Sequence, residues 1–224
     1  MKKSILTLLI LAFATFTFAQ KPIANDLAVE AGFNLSSMNS NFTLPSLRFR
    51  YFIMDDLVGR LDLGVTSNSN TRYVAENMDG TGEEGEAVNS NSNISIGLGV
   101  EKHLGGNGKF SPYYGGQFNY SMGSSSSENT NLDRNRYRAD YSVVSESSIS
   151  SLGIMAITGA DYWIANSFYL GAELMFGYTS TTNGETTETI TTGGVEQETV
   201  VPGRDRSTLG QSINPSFRIG FLLK

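Results

Sequence analysis

The chain has 224 residues, 39% of them hydrophobic, with a formal net charge of −6 and no cysteine. The lack of cysteine excludes disulfides and any metal site built on thiolates. The acidic balance argues against a nucleic-acid partner, because nucleic acids are bound by basic surfaces.

The N-terminus has the form of a secretory signal peptide. Lys2 and Lys3 precede an apolar run over residues 5–18, and Thr17 and Ala19 occupy the small-residue positions of a cleavage site. The run is shorter than the roughly twenty residues that a membrane-spanning helix needs. We predict that residues 1–19 are removed on export. Residues 20–224 then form a single domain with fourteen basic and twenty-two acidic residues, a net charge of −8.

Eight later segments alternate between apolar and polar residues, which is typical of strands with one apolar face. They are Leu27–Leu35, Leu47–Ile53, Gly59–Val65, Ile94–Val100, Tyr114–Met122, Ser148–Tyr162, Phe168–Tyr178 and Ile213–Leu223. A strand of about ten residues crosses a bilayer when it is tilted. No segment after the signal has eighteen consecutive apolar residues, so a membrane-embedded mature chain must be a β-barrel.

The sixth segment has the least clear alternation. The pattern points Leu152 and Ile154 outward but leaves Met155 and Ile157 inward. A β-bulge that resets the phase is one explanation.

The connections alternate between short and long. Those over residues 66–93, 123–147 and 179–211 are long and polar, and they carry six arginines against fourteen acidic residues. We expect them to be solvated and mobile loops. Short turns on one rim and long loops on the other are typical of outer-membrane barrels. We therefore predict an all-β, eight-stranded antiparallel up-and-down transmembrane β-barrel with four extracellular loops, three short periplasmic turns and periplasmic termini.

The charged strand residues fall on the face opposite the apolar one, and this face is also rich in glycine. An eight-stranded barrel has an interior that side chains can fill, and buried charges must be paired there. We predict a salt-bridged charge network in the lumen, formed by Glu30, Arg48, Arg50, Arg60, Asp62, Glu101, Asp161, Glu173 and Arg218.

Aromatic residues cluster near the predicted short turns. We predict an interfacial aromatic girdle at this depth, formed by Tyr51, Tyr114, Tyr162, Trp163 and Phe168. The alternative is the ordinary preference of aromatic residues for strands.

Candidates for chemistry are few. His103 is the only histidine, and we predict it to be a surface or interfacial residue beside a short turn, which argues against a Ser-His-acid site. The acidic segment Asp79–Glu86 lacks the spacing of a calcium loop, and Gly105–Lys109 lacks the hydroxyl residue of a phosphate loop. We predict no metal, no cofactor and no enzymatic activity.

The chain resembles the small eight-stranded outer-membrane barrels, the OmpA transmembrane-domain and OmpX-like proteins of the porin-family type. Phe18-Ala19-Gln20, Pro112-Tyr113-Tyr114-Gly115-Gly116 and Gly159-Ala160-Asp161-Tyr162 are similar to stretches of such proteins from Bacteroidetes-type bacteria. The resemblance covers residues 24–224. It departs from the family at the C-terminus, where Phe221 is followed by Leu222, Leu223 and Lys224 instead of ending the chain on an aromatic residue.

This resemblance implies an outer-membrane location, contact with membrane lipid and lipopolysaccharide, insertion by the barrel-assembly machinery and a monomeric state. The balanced interior charge favours a structural or narrow-pore permeability role. The alternative is a surface interaction or adhesion protein whose long acidic loops bind extracellular ligands. A soluble lipocalin-like barrel is the competing fold, and it is disfavoured because the charged, glycine-rich face suits the inside.

Overall fold

The computed structural model describes residues 22–34, 46–77, 80–105 and 109–223, with side chains at all of these positions except 33, 34 and 210–216. The predicted signal peptide, residues 1–19, and the connection between the first two predicted strands, residues 36–46, lie wholly or almost wholly outside the described residues. The strands are β1 (Leu27–Asn34), β2 (Ser46–Met54), β3 (Leu57–Ala75), β4 (Glu84–His103), β5 (Phe110–Asp133), β6 (Arg136–Ala165), β7 (Phe168–Thr192), β8 (Val195–Val201) and β9 (Arg204–Leu223).

Eight of these strands form a closed antiparallel ring. Strands β1 to β7 pair in chain order, and β9 pairs with both β7 and β1, which closes the barrel. The predicted eight-stranded up-and-down architecture is confirmed. Strand β8 pairs with the distal part of β7 and is separated from β9 only by Pro202 and Gly203, so β8 and β9 act as one interrupted eighth strand.

The long connections have a different form from the one predicted. Thr66–Ala75 of β3 pairs residue by residue with Glu84–Asn93 of β4, and the connections between β5 and β6 and between β7 and β9 are likewise β-hairpins. Strands β5, β6 and β7 have 24, 30 and 25 residues, well beyond the roughly ten that a bilayer crossing needs. The expectation of loops did not include this strand pairing, to which Thr and Val are well suited.

The sixth strand keeps its alternation, and the suggested bulge is wrong. Pairing with β7 runs unbroken from Ile149 to Trp163, so Met155 and Ile157 point inward. Ile157 is 3% exposed, and its pairing partner on β5 is Gly115. Met155 likewise pairs with a glycine, Gly177 on β7. These glycines leave space inside the barrel for the two large inward side chains.

The outer face of the ring carries an exposed apolar band. On β5 this band runs from Tyr114 to Met122, and on β4 from Ile94 to Val100. Nine residues at about 3.3 Å each, tilted by roughly 40°, rise about 23 Å, close to the height of the apolar band of outer-membrane barrels. The depth of an interior residue can therefore be described relative to this band.

The ring has two different rims. We call the end at Asp55–Asp56 and Asn166–Ser167 the short-turn rim and the opposite end the long-hairpin rim. Among the described residues, no helix is long and apolar enough to cross a membrane.

Candidate functional site

The barrel interior holds all nine charged residues predicted for the lumen, and the structure brings them together. Strand register explains the assembly, because Glu30 pairs with Arg48, Arg48 with Asp62, and Arg50 with Arg60, each pair at one height on neighbouring strands. We call these residues the charge layer: Glu30, Arg48, Arg50, Arg60, Asp62, Glu101, Asp161, Glu173 and Arg218. All but Asp62 are buried.

Arg50 occupies the centre of the charge layer with a fully buried side chain. Its Nη1 donates to Glu30 Oε1 at 2.8 Å and to Asp161 Oδ2 at 2.7 Å, while Nη2 donates to Glu101. One guanidinium therefore satisfies three carboxylates from three different strands. Such pairing is required, since an isolated buried charge is very costly.

Arg48 and Arg60 form a second cluster around Glu173. Both donate through Nη2 to Glu173 Oε1 at 3.0 Å. Arg48 Nε also lies 2.5 Å from Asp62 Oδ1, and Arg60 Nη1 lies 2.9 Å from Glu101 Oε1. These contacts connect β2, β3, β4 and β7 across the lumen.

Arg218 on β9 completes the network. Its Nη1 donates to Glu30 Oε2 at 2.9 Å, and its Nη2 donates to Asp161 Oδ1 at 3.2 Å. The hydroxyl of Tyr113 accepts from Arg218 and donates to Glu173 Oε2 at 2.8 Å. Each carboxylate of the charge layer thus contacts two or three arginines, so the interior is cross-linked from all sides.

An apolar floor closes the barrel between the charge layer and the short-turn rim. It consists of Ala28, Phe52, Val58, Trp163, Tyr169 and Leu222, each at most 2% exposed. The rings of Trp163 and Tyr169 lie 4.3 Å apart between centroids, and Tyr169 donates its hydroxyl proton to Glu30 at 2.6 Å. The floor and the charge layer therefore pack as one body.

Trp163 contradicts the predicted girdle. It is 1% exposed and points into the lumen, because it follows Asp161 by two residues and alternation places both inside. Tyr51, Tyr114 and Tyr162 are 46%, 53% and 50% exposed on the outer face. Phe168 is half-buried, one position before the inward Tyr169. A role for these outward aromatic residues at a membrane interface stays a prediction.

His103 was wrongly predicted to be a surface or interfacial residue. Its ring is buried, with Nδ1 at 2.8 Å from Ser111 Oγ and Nε2 at 2.9 Å from Arg50 Nη2 and 3.5 Å from Glu101 Oε2. Nε2 therefore lies between a guanidinium, which only donates, and a carboxylate, which only accepts. These contacts hold the ring inside the barrel.

Glycines make space for the large interior side chains. A Cβ built on Gly220 would lie 2.1 Å from the ring of Tyr169, and one on Gly159 would lie 2.3 Å from the hydroxyl of Tyr113. A Cβ on Gly171 would lie 2.6 Å from the Arg218 guanidinium. The charged and aromatic side chains therefore fill the volume that these glycines leave.

On the long-hairpin side of the charge layer the interior contains a cavity of about 400 Å³. Arg48 and Asp62 line its base, and Asn119, Ser121 and Ser151 are among its polar walls. None of the six floor residues lines this cavity, so it ends at the charge layer.

Sequence reasoning missed several interior residues. Neither Phe52 nor Tyr113 is among the residues predicted for the lumen network, yet both are 1% exposed and point inward. Leu222, in the predicted last strand, is part of the floor. The signal was present in the alternation itself, because Phe52 follows the inward Arg50 by two residues.

A closed eight-stranded ring with an apolar outer face and a charged interior defines the class of outer-membrane β-barrels. The family model described as "Putative OmpA-OmpF-like porin family" matches residues 32–189, and the chain belongs to this family. Among solved structures, one titled "Solid-state NMR structure of outer membrane protein AlkL in DMPC lipid bilayers" is similar over 93% of this chain and 92% of that chain, with 13% identity and a TM-score of 0.28. No curated protein matches the chain. The chain is thus a porin-like outer-membrane protein.

Proposed function

We propose that this protein is a non-conducting, structural barrel of the outer membrane, and that its interior serves to stabilise the barrel instead of forming a pore. The observation that carries the proposal is the stacking of the charge layer on the apolar floor. Arg50, Glu101 and Asp161 are 0% exposed in the middle of this stack. Their direct contacts across the lumen support a barrel that does not conduct.

The proposed orientation follows from the two rims. The short-turn rim faces the periplasm, so both termini of the mature chain are periplasmic, and the long hairpins project outside the cell. In this proposal residues 1–19 are removed on export, and the barrel-assembly machinery then inserts the mature chain. The inserted barrel contacts lipid and lipopolysaccharide. The barrel acts as a monomer, and the proposed role requires neither a cofactor nor catalysis.

Planar-bilayer recording tests this role. We expect the refolded mature chain to insert, to show a heat-sensitive gel shift and to give no steady single-channel conductance. Flotation with liposomes provides the control for insertion. Steady conductance that changes in Arg50→Ala would contradict the proposal and identify a narrow pore whose path passes the charge layer.

A second candidate role, surface interaction through the long hairpins, is favoured by their ordered β-structure. A paired extension holds its outer residues in fixed positions, which lowers the entropic cost of binding a partner. Pull-down of extracellular ligands by whole cells, with and without residues 124–148 replaced by a short turn, tests this role. Equal recovery from both strains would exclude hairpin β5–β6 as the binding element.

A further inference from the structure

Among the described residues, no strand covers one side of the extension beyond the apolar band. Strands β1 and β2 have only 8 and 9 residues, while their neighbours β9 and β3 continue far past them. Residues Gly64–Ala75 of β3 pair only with β4 within the described ranges, and β8 pairs only with β7. Within the described ranges, the distal edges of β3 and β8 therefore lie on either side of the position that β1 and β2 occupy nearer the membrane.

Chain length limits how far β1 and β2 reach toward β8. Residues 35–45 are eleven residues, which extend at most about 38 Å in total and about 19 Å if they go out and return. Strand β1 meets β9 last at Ser216, and Val201 is fifteen residues farther along the interrupted eighth strand, roughly 50 Å away. The free edge of Val195–Val201 is thus beyond the reach of this connection.

The chemistry of β8 suits the addition of another strand. All seven residues are exposed, and Val195, Val200 and Val201 are 72%, 49% and 52% exposed. The segment Val-Glu-Gln-Glu-Thr-Val-Val contains no proline, glycine or lysine, and its only charged side chains are the two glutamates. An exposed edge of this kind offers a row of backbone donors and acceptors to an extended peptide.

Charge indicates which peptide fits. Glu196 and Glu198 project from the outer face of β8, and Glu146 lies on the same face of β6. Pairing of β8 with β8 of a second copy, antiparallel and centred on residue 198, would place the two Glu198 carboxylates directly opposite each other. Like charges at opposed positions are destabilising, so a second copy is a poor occupant.

We propose that the free edge of β8 binds an extended segment of a partner polypeptide by strand addition. The segment carries Lys or Arg at alternate positions, which face Glu196 and Glu198, and apolar residues between them, which lie beside Val195 and Val201. This interaction is independent of whether the lumen conducts. In the proposed orientation, the distal hairpin of β7 and β8 binds this basic strand outside the cell.

The test uses the refolded protein in lipid nanodiscs and fluorescence anisotropy. The probe is a labelled nine-residue peptide of alternating lysine and valine. One comparison peptide has glutamate in place of lysine, and a second has the same charge but proline in place of the central valine. We expect saturable binding of the first peptide, no binding of the acidic one, and about tenfold weaker binding of the proline peptide, which cannot complete the ladder.

Two charge-reversed proteins complete the design. E196K/E198K removes binding of the basic peptide and gains binding of the acidic one. E86K/E128K changes two residues on the same outer face but on β4 and β5, away from the edge, and retains binding of the basic peptide within about threefold. On binding, hydrogen exchange slows at residues 195–201.

Three results would overturn the proposal. The first is equal binding of the proline peptide, which would mean attraction by charge alone. The second is an equal loss in both reversed proteins, which would mean that the edge has no special part. The third is a dimer of the protein without peptide that the substitution Thr199→Pro disrupts, which would assign the edge to a second copy.

Discussion

Replacing Arg50 by methionine tests whether the charge layer stabilises the barrel. Methionine keeps part of the side-chain volume but removes the donors to Glu30, Asp161 and Glu101. Asp161 would then keep only Arg218, at 3.2 Å. Removing one partner of a buried ion pair costs about 3–5 kcal/mol, because the remaining charge stays buried. We expect the free energy of unfolding to fall by that amount.

The assay is urea unfolding of the protein in lipid vesicles, followed by the fluorescence of the single tryptophan and by gel mobility without boiling. The double variant Arg50→Met with Asp161→Asn should recover about 1–3 kcal/mol of the loss, because it also removes a buried carboxylate that has lost one of its two arginines. Lys102→Met is the matched control. Its partner Asp56 and Lys102 itself are half-exposed, so solvent screens their pair and stability should stay close to that of the wild type.

Two outcomes would refute the reasoning. One is a loss below about 1 kcal/mol for Arg50→Met, which would mean that water replaces the guanidinium without cost. The other is an equal or larger loss in the double variant, which would mean that packing around Arg50, and not charge pairing, accounts for the effect.

Three further predictions concern the floor, the interior glycines and the distal hairpins. Trp163 fluorescence should resist quenching by brominated lipid chains because the ring lies inside the barrel, and strong quenching would return it to the outer girdle. Gly220→Ala should lower the free energy of unfolding by about 1–3 kcal/mol through a clash with a buried tyrosine ring, whereas Gly116→Ala, whose Cβ meets only a carbonyl oxygen at 3.7 Å, should not. A hydrogen bond to Glu83 raises the pKa of Tyr137 to about 12, so its stabilising contribution is present below pH 10 and is lost as the pH rises through 12. Tyrosinate absorbance of E83Q should show Tyr137 titrating at lower pH than in the wild-type protein, and an unchanged titration would exclude the bond.

Alternation predicted most of the barrel because its period is a local property. Each strand buries one face, so Glu30 and Arg50 are assigned to the inside by the apolar residues beside them in the chain. Eight such segments with short and long connections were sufficient for the ring, its antiparallel order and the membership of the charge layer. The same rule placed Met155 and Ile157 inside. The bulge was suggested because two large apolar residues did not fit a polar interior, and the structure does not contain it.

Near the turns, the direction of a side chain was harder to read than its depth. His103 and Trp163 were judged by their nearness to turns, which says how high a residue lies but not which way it points. Both are inside, where His103 contacts Arg50 and Trp163 packs on Tyr169. The polar composition of the long connections also hid their strands, because serine and threonine are equally compatible with solvated loops and with exposed ladders.

The sequence by itself predicted export, and it determined the period of the strands and which face of each strand is charged and which is apolar. These features follow from residues that are neighbours along the chain. The tertiary structure decided which charges meet, how the floor seals one end, and where an edge is left without a partner. These depend on register between strands far apart in the chain, such as Glu30 with Arg218 across 188 positions. Register is set by closure of the whole ring, and no single segment carries that information.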